Sequence, residues 1–183
     1  MYKFISSLPS ESPEGLWALQ NFLLTHIEGL IGNKDPIKKI YQPVFGEGHP
    51  YICNTPSLDG AFAVLSLNAK VYWPTTLYEL AHETVHLLNP KIGNTNVLEE
   101  GVATIFSEEM SKRFTNHAMT SKLPSYRDAA NLANELPEPF YDSIKKLRLK
   151  VGALYNVSES DIFSLFPNLD VNLAQKLCSE FVR

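Results

Sequence analysis

The chain has 183 residues, 44% hydrophobic and 20% charged, with a formal net charge of -4. That length supports one domain with its own core and needs no disulfide or metal staple to fold. The acidic balance excludes the clustered Lys and Arg that nucleic-acid binding requires, and no apolar run approaches the roughly 18 residues of a membrane span.

The start, "MYKFISSLPSESPEG", lacks the long apolar core of a signal peptide, so the expected compartment is the cytoplasm. Ser12 and Pro13 form an N-cap and first position, opening a helix that Gly32 stops. Short segments rich in Ile, Val, Tyr and Phe follow at Ile37–Phe45, Tyr51–Asn54, Ala61–Asn68 and Lys70–Trp73. Gly46, Gly48, Pro56 and Gly60 punctuate them, which predicts a small mixed sheet. After Pro74 the pattern turns helical. Thr76 with Glu79 has the form of a capping box that starts a helix at Leu77 and runs to Asn89–Pro90. Asn96 with Glu99 repeats the box and opens a helix from Val97 to Lys112. Further helices are expected at Ser125–Leu136, Pro139–Tyr155 and Asp170–Val182, with a short one at Asp161–Leu165.

The expected class is α+β. Residues 1–115 hold the N-terminal helix, the sheet and the motif helices, and 116–183 form a helical subdomain of the same compact unit. The basic run "IKKLRLK", Ile144 to Lys150, reads as a solvated helix face. Cys53 and Cys178 are too few for a disulfide framework and not spaced as a metal pair, so they read as small buried apolar side chains.

The chemistry lies in "YELAHETVHLLNPKIGNTNVLEEGVAT", Tyr78 to Thr104. His82 and His86 stand four apart, one turn above each other on one helix face, so both imidazoles can reach one zinc ion. Glu83 sits about 100° round the helix from His82, displaced from the metal but placed to serve its water as a base. A catalytic zinc needs a third protein ligand. If Glu99 turns back as a cap, Glu100 is the free carboxylate and the expected third ligand, with Glu99 as the alternative, and Gly101 beside it permits close helix packing.

"ELAHETVHLL" followed by "LEEGVAT" resembles the gluzincin group of zinc metallopeptidases, in which a His-Glu-x-x-His helix precedes a helix whose ligand glutamate often lies in Glu-Gly-x-Ala. The likeness spans roughly Lys70 to Met110. It implies a zincin-like fold, Zn2+ held by His82, His86 and Glu100, and Glu83 as the catalytic base acting on a peptide or protein substrate. It also implies an orienting acid one turn after the ligand glutamate, where this chain has Thr104; Glu79 and Glu108 are the other carboxylates nearby. The Gly-x-Met-Glu-Asn signature of some aminopeptidases in that group is absent.

The expected activity is zinc-dependent peptide hydrolysis. The alternative is an inactive zincin-like binding module that keeps zinc for stability; a helical scaffold without metal is the third reading. An oxyanion donor is expected from the C-terminal half, with His117, Tyr126, Tyr141 and Tyr155 as open candidates. By analogy with the related enzymes, the strand that pairs with substrate is expected within "AFAVLSLNAKVYW".

Overall fold

In the computed structural model, which describes residues 2–183, the first helix begins where the serine–proline pair dictates. The Ser12 hydroxyl accepts from the Gly15 amide, Pro13 occupies the first turn, and α1 runs Pro13–Ile31. Gly32, at φ 97°, ends it in a conformation that favours glycine. Its buried stripe, Leu16, Leu19, Leu23, Ile27 and Ile31, packs into the main core.

Four short strands follow: β1 (Lys39–Ile40), β2 (Val44–Phe45), β3 (Tyr51–Asn54) and β4 (Gly60–Leu65). Backbone carbonyls of Asp59, Ala61 and Leu65 accept from Lys39, Tyr41 and Gly46, so β1 and β2 run parallel along one edge of β4. They are one extended segment interrupted at Gln42–Pro43. On the opposite edge β3 pairs antiparallel, Tyr51 with Val64 through Asn54 with Ala61. The sheet is therefore mixed, as expected, but β4 is its centre. This corrects the expectation that a substrate-pairing edge lies in Ala61–Trp73. An uninterrupted apolar run, "GAFAVL", suits a strand covered on both faces; the edges are β3 on one side and β1 with β2 on the other.

Lys70–Trp73 is not a strand. Ala69–Val71 forms a 3-10 turn, and α2 (Trp73–Leu87) begins just after Tyr72 with Pro74 inside its first turn, where a missing N–H costs nothing. Thr76 is consequently interior to α2, and its hydroxyl donates to the Ala69 and Tyr72 carbonyls instead of capping. The Glu79 carboxylate accepts from Ser66 N (2.8 Å) and Oγ (2.5 Å), tying α2 to the end of β4.

The second cap forms as its residues require. The Asn96 side chain accepts from Glu99 N at 2.9 Å, and α3 runs Val97–Phe114. The rest is helical: α4 (Pro124–Ala133), α5 (Phe140–Val151), α6 (Glu159–Leu165) and α7 (Val171–Cys178). α5 stops at Gly152, φ 83°, four residues before the expected end. α7 ends at Cys178 because the chain beyond it turns extended: Val97 N donates to Ser179 O and Phe181 N to Thr95 O, with Asn96 and Glu180 bridged antiparallel. The fold is α+β, with seven α-helices among the described residues, and no helix is long and apolar enough to cross a membrane.

One core runs from Leu16 on α1 to Leu177 on α7, with α2 and the fully buried Phe106 of α3 inside it. Gly101 is where α3 meets α4. A Cβ there would stand 2.4 Å from the Ala129 carbonyl and 2.7 Å from Ala133 Cβ, so glycine sets the depth at which α4 docks. Both cysteines are free and half-buried rather than fully buried.

Candidate metal centre

α2 carries His82, Glu83 and His86; α3, packed beside it, carries Glu99 and Glu100. The expected trio does come together: one ligand atom from each of His82, His86 and Glu100 lies within 4.8 Å of the others. His82 Nε2 is 3.3 Å from His86 Nε2. Glu100 Oε2 is 3.2 Å from His82 Nε2, and Oε1 is 3.6 Å from His86 Nε2. Ligand atoms sharing one tetrahedral ion at about 2.0–2.1 Å stand about 3.3 Å apart, so the spacing is that of a cation site.

The proton positions support the same reading. His86 Nδ1 donates to Glu99 Oε1 at 2.8 Å, which leaves Nε2, facing His82 and Glu100, as the nitrogen that can ligate a metal once its proton has left. Glu100 Oε2 is buried and has no hydrogen-bond partner despite its nearness to His82. Two imidazole nitrogens and a carboxylate facing one point, with a buried oxygen there that has no hydrogen-bond partner, fit a divalent cation.

Burial raises the Glu100 carboxyl, but His86 and then His82 outweigh it and hold the group well below the usual range. Burial likewise opposes charge on His86, yet Glu100 and Glu99 outweigh it and hold the imidazole well above its ordinary value. Metal entry must displace that proton, so apparent affinity rises with pH.

Glu99 is the residue that sequence reasoning placed wrongly. It does not fold back on Asn96; it orients His86 from behind, a role that raises ligand basicity. Its position thirteen residues after His86, beside the ligand glutamate, was the available signal. Thr104 does not do the corresponding work for His82: its hydroxyl is buried and has no partner. Glu79 is engaged by Ser66, and Glu108 accepts from Ser121 N. Glu99→Ala is expected to weaken metal binding about 10–100-fold, read by competition against a chromophoric chelator; unchanged affinity would remove Glu99 from this role.

Glu83 is only 3% exposed and makes no hydrogen bond to the protein. Burial raises its pKa, against the pull of His82 and His86. It lines a cleft of about 640 Å³ whose floor is His82, His86 and Glu100. One wall is β3; the other is the loop 91–95 with the extended residues 181–183. β3 makes no backbone hydrogen bonds beyond its ladder with β4, so its second edge is open along the cleft.

Of the four candidate oxyanion donors, only Tyr126 reaches the centre, its ring 5.5 Å from that of His82. His117 is exposed and bonded to Tyr72, Tyr141 bonds Glu109, and Tyr155 lies under Lys91. Arg183 was not foreseen. Its Nε donates to Tyr126 Oη at 2.6 Å and a terminal nitrogen to the Pro50 carbonyl at 3.3 Å, bridging the two walls. A single arginine outside any motif carries no sequence signal for such a contact.

No family model matches the chain, and comparison with curated proteins and with solved structures finds no match. What can be said of the site rests on its own geometry: a buried His/His/Glu group that can hold a metal ion, on the His-Glu-x-x-His spacing.

Proposed function

We propose that the protein is a zinc-dependent peptidase with a zincin-like arrangement, holding Zn2+ through His82, His86 and Glu100 and using Glu83 as its base. The observation that carries this reading is the juxtaposition of the three donor atoms with a carboxylate that has no structural hydrogen bond to make. Nitrogen and carboxylate donors in this number suit zinc, which when bound supplies Lewis acidity toward a water and a carbonyl oxygen.

Glu83 takes the proton of the attacking water and returns it to the departing amine nitrogen. Burial keeps its basicity above that of an exposed glutamate, which favours taking the water's proton. Tyr126 stays protonated, its pKa pushed up to about 12 chiefly by burial. Because its oxygen accepts from Arg183, its own hydrogen is free to donate to the oxyanion as it develops. An extended substrate pairs with the open edge of β3, which draws its scissile carbonyl across the floor.

Purified protein is expected to contain zinc, to lose peptide hydrolysis with chelator and to regain it with added Zn2+. Zinc-free protein as isolated, or hydrolysis indifferent to chelation, would sink the proposal. Tyr126→Phe is expected to lower kcat about 10²–10³-fold with little change in KM; an equal effect on both would assign Tyr126 to substrate binding alone.

A further inference from the structure

Beside the main cleft lies a second cavity of about 150 Å³. Pro50, His82, Glu83 and Arg183 border both spaces and so form the partition between them. Tyr78, Glu79, Thr104 and Ser121 line only the second, and make its interior. The cavity therefore opens beside the reacting centre, where the side chain of a residue flanking the scissile bond must go.

At about 150 Å³ the cavity has room for one side chain. The interior chemistry narrows the guest further. Glu79 pairs with no cation among the described residues. Ser66 occupies part of its carboxylate, which has about four lone-pair sites in all, so acceptor capacity remains. This half-buried carboxylate has no positive partner among the described residues, and a cation entering the cavity can supply one. Independently, the Thr104 hydroxyl is 1% exposed and without any hydrogen-bond partner. Arg183 stands on the partition and donates to Tyr126 and Pro50, with no ion pair to Glu79.

We propose that this cavity is the subsite that selects substrate and that it takes lysine, whose ammonium donates to the Glu79 carboxylate and the Thr104 hydroxyl while its methylene stem passes Tyr126 and Leu123. The proposal rests on the peptidase reading only for its meaning as a cleavage preference; the cavity's affinity for a lysine side chain stands apart from it.

Two measurements separate these. In the first, N-acetyl-lysine N-methylamide and its norleucine analogue are titrated into metal-free protein and followed by isothermal titration calorimetry. Lysine is expected to bind at least 10-fold more tightly, and Glu79→Gln to abolish that ratio. Thr104→Val is the second variant, expected to reduce it and read in the same way if Glu79→Gln does not fold. Equal binding of the two analogues, or a ratio untouched by the variant that folds, overturns the proposal. In the second, zinc-loaded protein cleaves a mixed peptide library, and lysine is expected to be enriched about 10-fold at one position flanking the cut. Cleavage without lysine enrichment overturns the subsite and leaves the peptidase; lysine-selective binding with no cleavage of any peptide supports the subsite and removes the peptidase.

Discussion

Replacing Glu83 by glutamine is expected to cut peptide hydrolysis by roughly 10²–10⁴-fold, the usual worth of a positioned general base, while zinc content stays that of the wild type. Glutamine has the same shape, so the helix and its ligands are undisturbed, but it cannot accept the water's proton. The fall should appear in kcat with KM nearly unchanged. Stability should move the other way. In metal-free protein burial raises the folded-state pKa of Glu83 above its unfolded value. The folded state then binds a proton more tightly than the unfolded one. Stability accordingly falls as pH climbs from the unfolded pKa through the folded one, and at neutral pH the ionised carboxylate is a burden. Glutamine removes that burden, so the metal-free variant should melt no lower than wild type at pH 7 and gain least at acid pH. A variant that loses activity together with zinc or with melting temperature would instead make Glu83 a structural residue.

That a buried carboxylate is retained at a cost in stability explains why the motif was legible while much around it was not. The His82–Glu83–His86 spacing is local: one helix turn places the groups, and no tertiary knowledge is required. The same holds for the Ser12 and Asn96 caps and for Gly32, where backbone conformation dictates the residue type. Glu100 was reachable because Glu99 was assigned elsewhere, although the reason was mistaken. Glu99 bonds His86, a contact between two helices that no cap rule contains. Tyr126 could be placed among four candidates and no further, since its approach to His82 depends on how deeply α4 docks against Gly101. Lys70–Trp73 has strand-forming residues, but Pro74 is equally at home in a first helical turn, and packing of Trp73 against the core decided between them. The segment after Cys178 has helical periodicity, yet pairs with residues 95–97 and becomes a wall of the cleft. In each failure a long-range partner outweighed a local preference.

Arg148 is the sharpest instance, and its replacement by methionine is expected to be the most destabilising single change considered. The residue lies in a run that reads as a solvated basic face, and its neighbours Lys145, Lys146 and Lys150 are indeed exposed, but Arg148 is 6% exposed. Its guanidinium donates to the carbonyls of Ile31 (3.2 Å), Gly32 (2.8 Å) and Asn33 (2.7 Å), closing the end of α1. It also donates twice to Asn89 Oδ1, at 3.1 and 2.8 Å, just beyond the end of α2. One side chain thereby joins the C-terminal ends of two helices, where the macrodipole favours a cation. Burial lowers its pKa, with Glu99 and Glu28 opposing, and arginine remains charged. Methionine fills similar space but leaves the Ile31 carbonyl buried without this donor and takes it also from the partly buried Gly32, Asn33 and Asn89 oxygens. Hydrogen bonds made by a charged group contribute about 1.5–3 kcal/mol each, so losing this set costs about 3–5 kcal/mol, a large share of the 5–15 kcal/mol that typically holds a domain together. At about 2–4 °C per kcal/mol for a chain of this size, melting should fall by about 6–20 °C. Arg148→Lys should fall between, because a single ammonium cannot reach both helix ends as a planar fork does. Urea denaturation should show a lower midpoint with unchanged slope. Zinc affinity measured well below the new midpoint should stay near wild type, the reverse of Glu99→Ala, which should weaken metal while sparing the fold. If Arg148→Met instead lowers zinc affinity without lowering the midpoint, the clamp acts on His86 through Asn89, and α2 is held at its metal end by the site rather than by the core.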